Sequence, residues 1–168
     1  MDRIKALWEA SHVRRFHTRT TLQHYDVGQH TYRMLMLAHL LCPRPTVRLL
    51  RAITFHDSAE RWTGDVPATA KWRYVSLEDA MDEVERKVNR QLQILATDLT
   101  SDEKCWLKAL DALELLLFCK DELALGNTTL GEPHNALLNF LCNDNDWVPR
   151  PVRDYLKTLR WEQQGDML

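Results

Sequence analysis

The chain has 168 residues, of which 45% are hydrophobic and 27% are charged, and its formal net charge at pH 7 is −2. A chain of this length fits one domain, spanning residues 1–168, which buries roughly 70% of the surface that the unfolded chain exposes. The small net charge argues against a general binder of nucleic-acid polymers, and the sequence contains no run of 18 apolar residues that could span a membrane.

The first half of the chain predicts helices that are separated by one irregular loop. Its N-terminus lacks the long apolar segment of a signal peptide, so we expect a cytoplasmic protein. Residues 14–21 hold three arginines around one aromatic residue, which fits either a solvated surface or a ligand-binding loop. Capping residues and apolar periodicity place the helices from Asp2 to about Ser11, from about Gly28 to Leu41, and from Thr46 to His56.

The second half predicts further helices and shows no strand-like alternation. The predicted helices are one opened by a capping box at Ser76–Asp79 and reaching about Leu95, one capped by Ser101–Lys104 and running towards Gly126, and two short ones starting near Pro133 and Pro149. We therefore expect an all-α fold, a single helical bundle of about six to seven helices.

One stretch after the third helix is unusually dense in ionisable side chains. His56 and Asp57 are adjacent and Glu60 follows one turn later, so on a regular helix the three can converge on one point. Gly64 then ends the helix, and the turn that follows lets Asp65 face the same point. We interpret that point as a metal ion.

A further carboxylate lies in the apolar middle of a long helix. Asp111 stands among leucines and alanines, where a buried carboxylate costs several kcal/mol unless it is paired or bound to a cation. Exposure to solvent is the alternative, and we expect Glu114 to be the residue that faces water. His30 is a candidate ligand in the first turn of its helix, whereas His39 is expected to be an ordinary helical histidine.

These residues form a mixed nitrogen and oxygen ligand set that suits borderline divalent ions such as Zn, Co, Mn or Fe, and Mg less well. The set consists of His30, His56, Asp57 and Asp111. Residues 1–75 hold 12 Lys/Arg against 6 Asp/Glu, a net charge of +6, which would suit an anionic phosphorylated substrate. Chance segregation of surface charge explains this asymmetry equally well.

The order of these residues resembles the HD-domain metal-dependent phosphohydrolases, whose pattern is H, then HD, then D on a helical core. An alarmone hydrolase of this class would be expected to show Glu-Asp where this chain has Glu60-Arg61. A cyclic-dinucleotide phosphodiesterase would carry a Gly-Tyr-Pro motif, which this sequence lacks, so both branches fit less well. The chain is most similar, over about residues 14–127, to the bacterial 5′-deoxynucleotidases and the small phage dATP triphosphohydrolases. The motifs are Gln29-His30, His56-Asp57-Ser58-Ala59-Glu60, Thr63-Gly64-Asp65-Val66-Pro67, Lys71 and Asp111-Ala112.

The resemblance implies a role for each candidate residue. Glu60 and Asp65 would handle protons and the attacking water, and Arg15 and Lys71 would hold phosphate. A divalent ion, Zn, Co, Mn or Mg, would be the cofactor, because it can lower the pKa of a bound water from 15.7 to about 7. The ligands carried over by the resemblance are His30, His56, Asp57 and Asp111.

Two positions depart from the deoxynucleotidase pattern. Gln29 stands where the deoxynucleotidases have an acidic residue, and this change affects only the groups around the metal ligands. Phe16 stands where they have a tryptophan. The resemblance implies that this aromatic ring lies against C2′ of the sugar and excludes a ribose hydroxyl by its size. Phe16 is smaller than tryptophan, and packing within its loop is the competing interpretation.

The expected substrate is a deoxynucleotide. Arg14, His17 and Arg19 add positive charge that suits a triphosphate, so we expect cleavage of a dNTP, dATP by resemblance, to deoxynucleoside plus triphosphate. A 5′-nucleotidase that releases orthophosphate from dNMPs is the alternative.

Two hypotheses without catalysis also remain. One is a metal- and nucleotide-binding module, against which the presence of Glu60 and Asp65 argues. The other is a structural interaction protein, suggested by six tryptophans. We expect those tryptophans to serve the core and the interface of a homo-oligomer.

Overall fold

The computed structural model of the chain describes residues 2–67, 70, 73–94, 98–143 and 145–165. These residues form seven α-helices of eight residues or more, one single-turn α-helix and two short 3-10 helices, with no strand among them. The predicted all-α bundle of six to seven helices is therefore confirmed. The α-helices are α1 (Arg3–Ala10), α2 (Val27–Leu41), α3 (Val47–Phe55), α4 (Glu60–Thr63), α5 (Val75–Gln91), α6 (Ser101–Ala124), α7 (Gly131–Cys142) and α8 (Arg150–Gly165).

Two predicted N-caps, Asp2 and Thr46, are confirmed, and Asp26 caps α2. The side chains of Asp2, Asp26 and Thr46 each accept a hydrogen bond from the backbone N–H three residues later, which satisfies a donor that has no partner within the helix. The cap of α6 is one residue earlier than predicted. Thr100 and Glu103 form a capping box there, because each side chain bonds the backbone N–H of the other.

The predicted start of α5 is wrong. The helix begins at Val75 with Tyr74 at the N-cap and no side-chain cap, so Ser76 lies within the first turn and does not cap it. The helix ends at Gln91, and the predicted end near Leu95 lies outside the described residues.

The core is built around α6, which packs against α2, α3, α7 and α8. Each fully buried large aliphatic side chain contributes about 1.5–3 kcal/mol, so this cluster is a major source of stability. Its fully buried members include Met34, Leu49, Ile53, Leu110, Leu113 and Leu141. A smaller cluster joins α1 to α4 and α5, and there the Arg61 guanidinium also pairs with Glu9. No described helix is both long and apolar enough to cross a membrane.

The loop between α1 and α2 folds back on itself and lies over α6. The backbone N–H of Arg15 donates to the carbonyl of Tyr25 at 3.0 Å, and Gly28 N–H donates to the Ser11 carbonyl at 3.0 Å. A Cβ at Gly28 would lie 3.2 Å from that carbonyl oxygen, so the close approach favours glycine. The loop thereby brings Arg15 beside the end of α3.

Candidate metal centre

The His-Asp pair lies in a tight turn and not on a continuous helix, contrary to the sequence interpretation. α3 ends at Phe55, and the turn is closed by bonds from Ser58 N–H to the Phe55 carbonyl (3.1 Å) and from Glu60 N–H to the Asp57 carbonyl (3.0 Å). These bonds span three residues, which tightens a helix end beyond α-helical geometry. The two side chains still meet, because His56 Nε2 lies 3.2 Å from Asp57 Oδ2.

The four predicted ligand residues come together from three parts of the chain. His30 on α2 points its Nε2 at His56 Nε2 and at Asp111 Oδ1, at 3.2 Å in each case. Asp57 Oδ2 lies 3.6 Å from His30 Nε2. His30, His56 and Asp111 each offer a ligand atom within 4.8 Å of the other two. We call the set of His30, His56, Asp57 and Asp111 the metal centre.

The donor chemistry of this set fits a cation. His56 Nδ1 donates to the Ile53 carbonyl at 2.8 Å, and His30 Nδ1 donates to Glu114 Oε2 at 2.6 Å. Each Nδ1 is therefore occupied, and the two Nε2 atoms are the ones that face each other and the aspartates. The lone pairs of the two Nε2 atoms repel each other at this separation unless a proton or a cation lies between them. A divalent ion bound there would remove the repulsion.

Protonation of His56 and ionisation of Asp57 favour each other in this arrangement. Burial would lower the pKa of His56, but the charge of Asp57 and their hydrogen bond raise it to about 9. Burial would likewise raise the pKa of Asp57, but His56 and Arg15 lower it well below its usual value. A divalent cation at this place would take over the role of the His56 proton.

Arg15 is buried beside the metal centre. Its guanidinium pairs with Asp57 and lies 3.9 Å from Glu60 and 4.0 Å from Asp111. Burial would lower the pKa of Arg15, but the charges of Asp57 and the other acidic groups around it together raise it. The Nε atom of Arg15 is buried and has no hydrogen-bond partner among the described residues.

The two predicted proton-handling carboxylates have different surroundings. Burial, and after it the charge of Asp57, raise the pKa of Glu60 to about 8, and its buried Oε2 has no hydrogen-bond partner in the described part of the chain. Asp65 follows Gly64, whose φ of 70° turns the chain as predicted. Its Oδ2 accepts a hydrogen bond from the backbone N–H of Phe16 at 3.0 Å.

Of the other residues predicted to bind substrate, Phe16 packs within its loop and Arg19 forms an ion pair. Phe16 has a φ of 53°, and its ring packs against Phe118 at 5.9 Å between centroids, as the loop-packing interpretation expects. Arg19 lies in the loop between α1 and α2, and its guanidinium donates to Glu132 of α7 at 2.9 Å and to the Thr129 carbonyl. Lys71 lies outside the described residues.

Sequence reasoning missed Glu114, and its expected exposure is wrong. The Glu114 side chain is 2% exposed, whereas that of Asp111 is 45% exposed. Residues three apart lie on nearly the same helix face, so the position of Asp111 carried a signal that Glu114 also points towards His30. The Tyr25 hydroxyl donates a second hydrogen bond to Glu114.

Comparison with known proteins identifies first a class and then a family. The helical fold, with an H, HD and D set at one point, defines an HD-domain phosphohydrolase, and the predicted resemblance is confirmed. Residues 4–158 match the model of the YfbR-like 5′-deoxynucleotidase family, so the chain belongs to that family. A 5′-deoxynucleotidase of Cronobacter sakazakii is 27% identical, and the match covers 68% of this chain and 75% of that protein.

Two solved structures share the fold. One is the HD phosphohydrolase DatZ of cyanophage S-2L, bound to dA and one catalytic Zn²⁺ ion, with a TM-score of 0.67 and 19% identity over 98% of this chain and 96% of that one. The other is a conserved hypothetical protein from Pyrococcus furiosus, with a TM-score of 0.66 and 19% identity over 95% of this chain and 98% of that one.

Proposed function

We propose that the protein is a metal-dependent hydrolase that cleaves the 5′ phosphoester of 2′-deoxynucleotides. The observation that carries the proposal is the metal centre, in which two imidazole Nε2 atoms and two carboxylates face one point. His30, His56, Asp57 and Asp111 would hold the divalent ion. Family membership and the Zn²⁺ ion bound by the phage relative support this assignment.

A divalent ion supplies a Lewis acid that polarises a phosphoryl oxygen and makes a nearby water more acidic. The protein would supply orientation and proton transfer. Arg15, held by Asp57, would bind a phosphate oxygen with the Nε group that has no partner among the described residues. Glu60 and Asp65 would share the two proton steps, one at the attacking water and the other at the departing O5′.

The first candidate substrate is a deoxynucleoside triphosphate, dATP in particular, which would yield deoxynucleoside and triphosphate. The dA bound by the phage relative supports an adenine deoxynucleotide. The Arg14 side chain is exposed, and its hydrogen bond to the Thr21 hydroxyl is long, at 3.4 Å, so the side chain can turn towards a longer phosphate chain.

The second candidate is a deoxynucleoside monophosphate, which would yield orthophosphate. Two observations favour it: the family and its curated relative are both described as 5′-deoxynucleotidases, and Arg19 already donates to Glu132. In either case we also propose that the chain acts as a single-domain, cytoplasmic homo-oligomer.

Product analysis tests the function and separates the two substrates. The purified protein is incubated with Mn²⁺, Co²⁺ or Zn²⁺ and, separately, with each deoxynucleoside mono-, di- and triphosphate and its ribonucleotide counterpart. Chromatography then resolves the products. Deoxynucleoside with intact triphosphate would establish the first candidate, whereas orthophosphate from monophosphates alone would establish the second.

Variants of the metal centre control for contaminating enzymes. The double variant His56→Ala/Asp57→Ala should lose the activity. His39→Ala, which changes an exposed histidine on α2, should keep it. Turnover that survives in the double variant, or no turnover with any of the three metals, would overturn the proposal and favour a binding module.

A further inference from the structure

We propose that Glu114 is a positioning residue that fixes the ring of His30 and thereby sets the metal affinity of the centre. The inference rests on the proposed function in one respect, because it takes the metal centre to bind a divalent ion. Glu114 would act through His30 and contact neither the ion nor the nucleotide.

The geometry around His30 carries the inference. Glu114 Oε2 lies 2.6 Å from His30 Nδ1, on the side of the ring opposite to the metal centre. His30 Nε2 faces Asp111 and His56, each at 3.2 Å. A carboxylate that accepts the Nδ1 proton holds the imidazole in one tautomer and makes its Nε2 a stronger donor to a metal.

The two histidines of the centre are oriented by acceptors of different strength. His56 Nδ1 donates to the backbone carbonyl of Ile53, which is neutral. His30 Nδ1 donates to a carboxylate, and hydrogen bonds to a charged group are shorter and roughly twice as strong as neutral ones. Of the two rings, His30 is therefore the one whose electronic properties depend on an acidic side chain behind it.

Glu114 itself is held in place from several sides. The Tyr25 hydroxyl donates to the same Oε2, and the Tyr25 ring stacks on Phe118 with centroids 3.9 Å apart. Arg33 Nη1 lies 3.5 Å from the other carboxylate oxygen, which offsets the charge of a buried group. A buried carboxylate fixed by a packed aromatic ring and a nearby cation is suited to hold its histidine without motion.

The test compares two buried glutamates of the same helix. Glu114→Gln keeps the shape of the side chain and removes its charge. Glu122→Gln makes the same change in a glutamate that accepts its hydrogen bonds from Leu22, Gln23 and Asn127. The dissociation constant for Zn²⁺ is measured by competition with a chromophoric chelator. We expect Glu114→Gln to weaken Zn²⁺ binding by about 10- to 100-fold, as loss of such a partner generally does. Glu122→Gln should leave the affinity unchanged.

The possible outcomes separate this inference from the function. If the wild-type protein binds Zn²⁺ and Glu114→Gln binds it equally well, Glu114 has no positioning role, although the proposed function stands. Equal weakening in both variants would also overturn the inference, since it would reflect a general effect of buried charge. A wild-type protein that binds no divalent ion would overturn both proposals.

A measurement on the unaltered protein applies if Glu114→Gln fails to fold. Long-range ¹H–¹⁵N correlation spectra of the zinc-loaded wild type report which ring nitrogen of each histidine carries the proton. We expect His30 to be protonated at Nδ1, with that proton shifted downfield by the carboxylate. An Nδ1 of His30 without a proton would overturn the inference.

Discussion

Glu114 and Glu122 are both buried on α6, yet their surroundings differ. Glu122 accepts hydrogen bonds from the backbone N–H groups of Leu22 and Gln23, at 2.8 and 2.7 Å, and from Asn127 Nδ2 at 2.7 Å. These donors are neutral, and they fix the loop between α1 and α2 to the end of α6. We call this set of four residues the loop anchor.

Glu114 belongs to the other region, where polar groups are less completely paired. It contacts the imidazole of His30, and two buried atoms nearby, Arg15 Nε and Glu60 Oε2, have no hydrogen bond within the described residues. Burial alone therefore does not distinguish a structural carboxylate from a functional one. The chemistry of the partners does, because buried atoms without a partner point to a missing ion or ligand.

The largest difference between the two regions should appear in catalysis. We expect His30→Ala to lower kcat for deoxynucleotide hydrolysis by at least about a hundredfold, since a catalytic metal supplies several kcal/mol and each 1.36 kcal/mol is a factor of ten. Glu122→Gln should keep the wild-type kcat. Initial rates with added Mn²⁺ or Zn²⁺ measure both.

His39→Ala is the matched control for this comparison, because it removes a histidine from the exposed side of the same helix. It should behave as wild type. If His30→Ala and His39→Ala lose activity to the same extent, the loss comes from damage to α2 and not from removal of a ligand.

The loop anchor should contribute measurably to stability. Hydrogen bonds to charged groups contribute about 1.5–3 kcal/mol, and Gln at position 122 keeps part of the network, so we expect Glu122→Gln to lower the free energy of unfolding by about 2 kcal/mol. Urea unfolding measures this change. Glu132→Gln, at an exposed position of α7, is the control and should change it little. An unaltered midpoint for Glu122→Gln would show that the loop is held by other contacts.

Glu122 and Glu60 should also make opposite contributions to the pH dependence of stability when no divalent ion is added. Burial would raise the pKa of Glu122, but hydrogen bonds from Asn127 and the backbone lower it below the usual 4.5. Its stabilisation is therefore present above about pH 4.5 and is lost as the pH falls through the lowered pKa. Burial and the charge of Asp57 raise the pKa of Glu60 to about 8. The stabilisation from Glu60 is therefore fully present below pH 4.5 and is lost as the pH rises through about 8.

Urea unfolding at a series of pH values checks these signs. Glu122→Gln should flatten the acid limb of the stability curve and Glu60→Gln the neutral-to-alkaline limb. If Glu60→Gln instead removes stability at high pH, the Glu60 carboxylate is paired in the folded state, and its proposed part in proton transfer needs another basis.

The metal centre was more predictable from sequence than the residues that support it. His56 and Asp57 are adjacent, and Asp111 is conspicuous in an apolar helix, so their chemistry is visible without a structure. The exposure expected of Glu114 was wrong because its spacing of three residues from Asp111 places both side chains on nearly the same face of the helix. The cap of α6 was likewise readable from spacing, since Glu103 stands three residues after Thr100, which is the capping-box pattern, whereas Lys104 stands three residues after Ser101.

The contacts of the loop between α1 and α2 could not be predicted. Arg15 reaches Asp57 because the loop folds back through hydrogen bonds between Arg15 and Tyr25, and these depend on tertiary packing and not on any period in the sequence. The same holds for Phe16, whose positive φ is stabilised by the bond from its N–H to Asp65.

The smallest expected effect concerns Arg19, which links the loop to α7. Its ion pair with Glu132 is largely exposed, so Arg19→Ala should change the free energy of unfolding by about 0.2–1 kcal/mol. Because its N–H groups already donate to Glu132 and Thr129, we expect Arg19→Ala to raise the KM for deoxynucleoside triphosphates less than Arg15→Ala does. Glu132→Ala breaks the same pair but keeps the guanidinium. If Arg19→Ala raises the KM as strongly as Arg15→Ala while Glu132→Ala lowers it, Arg19 leaves its pair to bind the substrate, and the pair with Glu132 is its resting position.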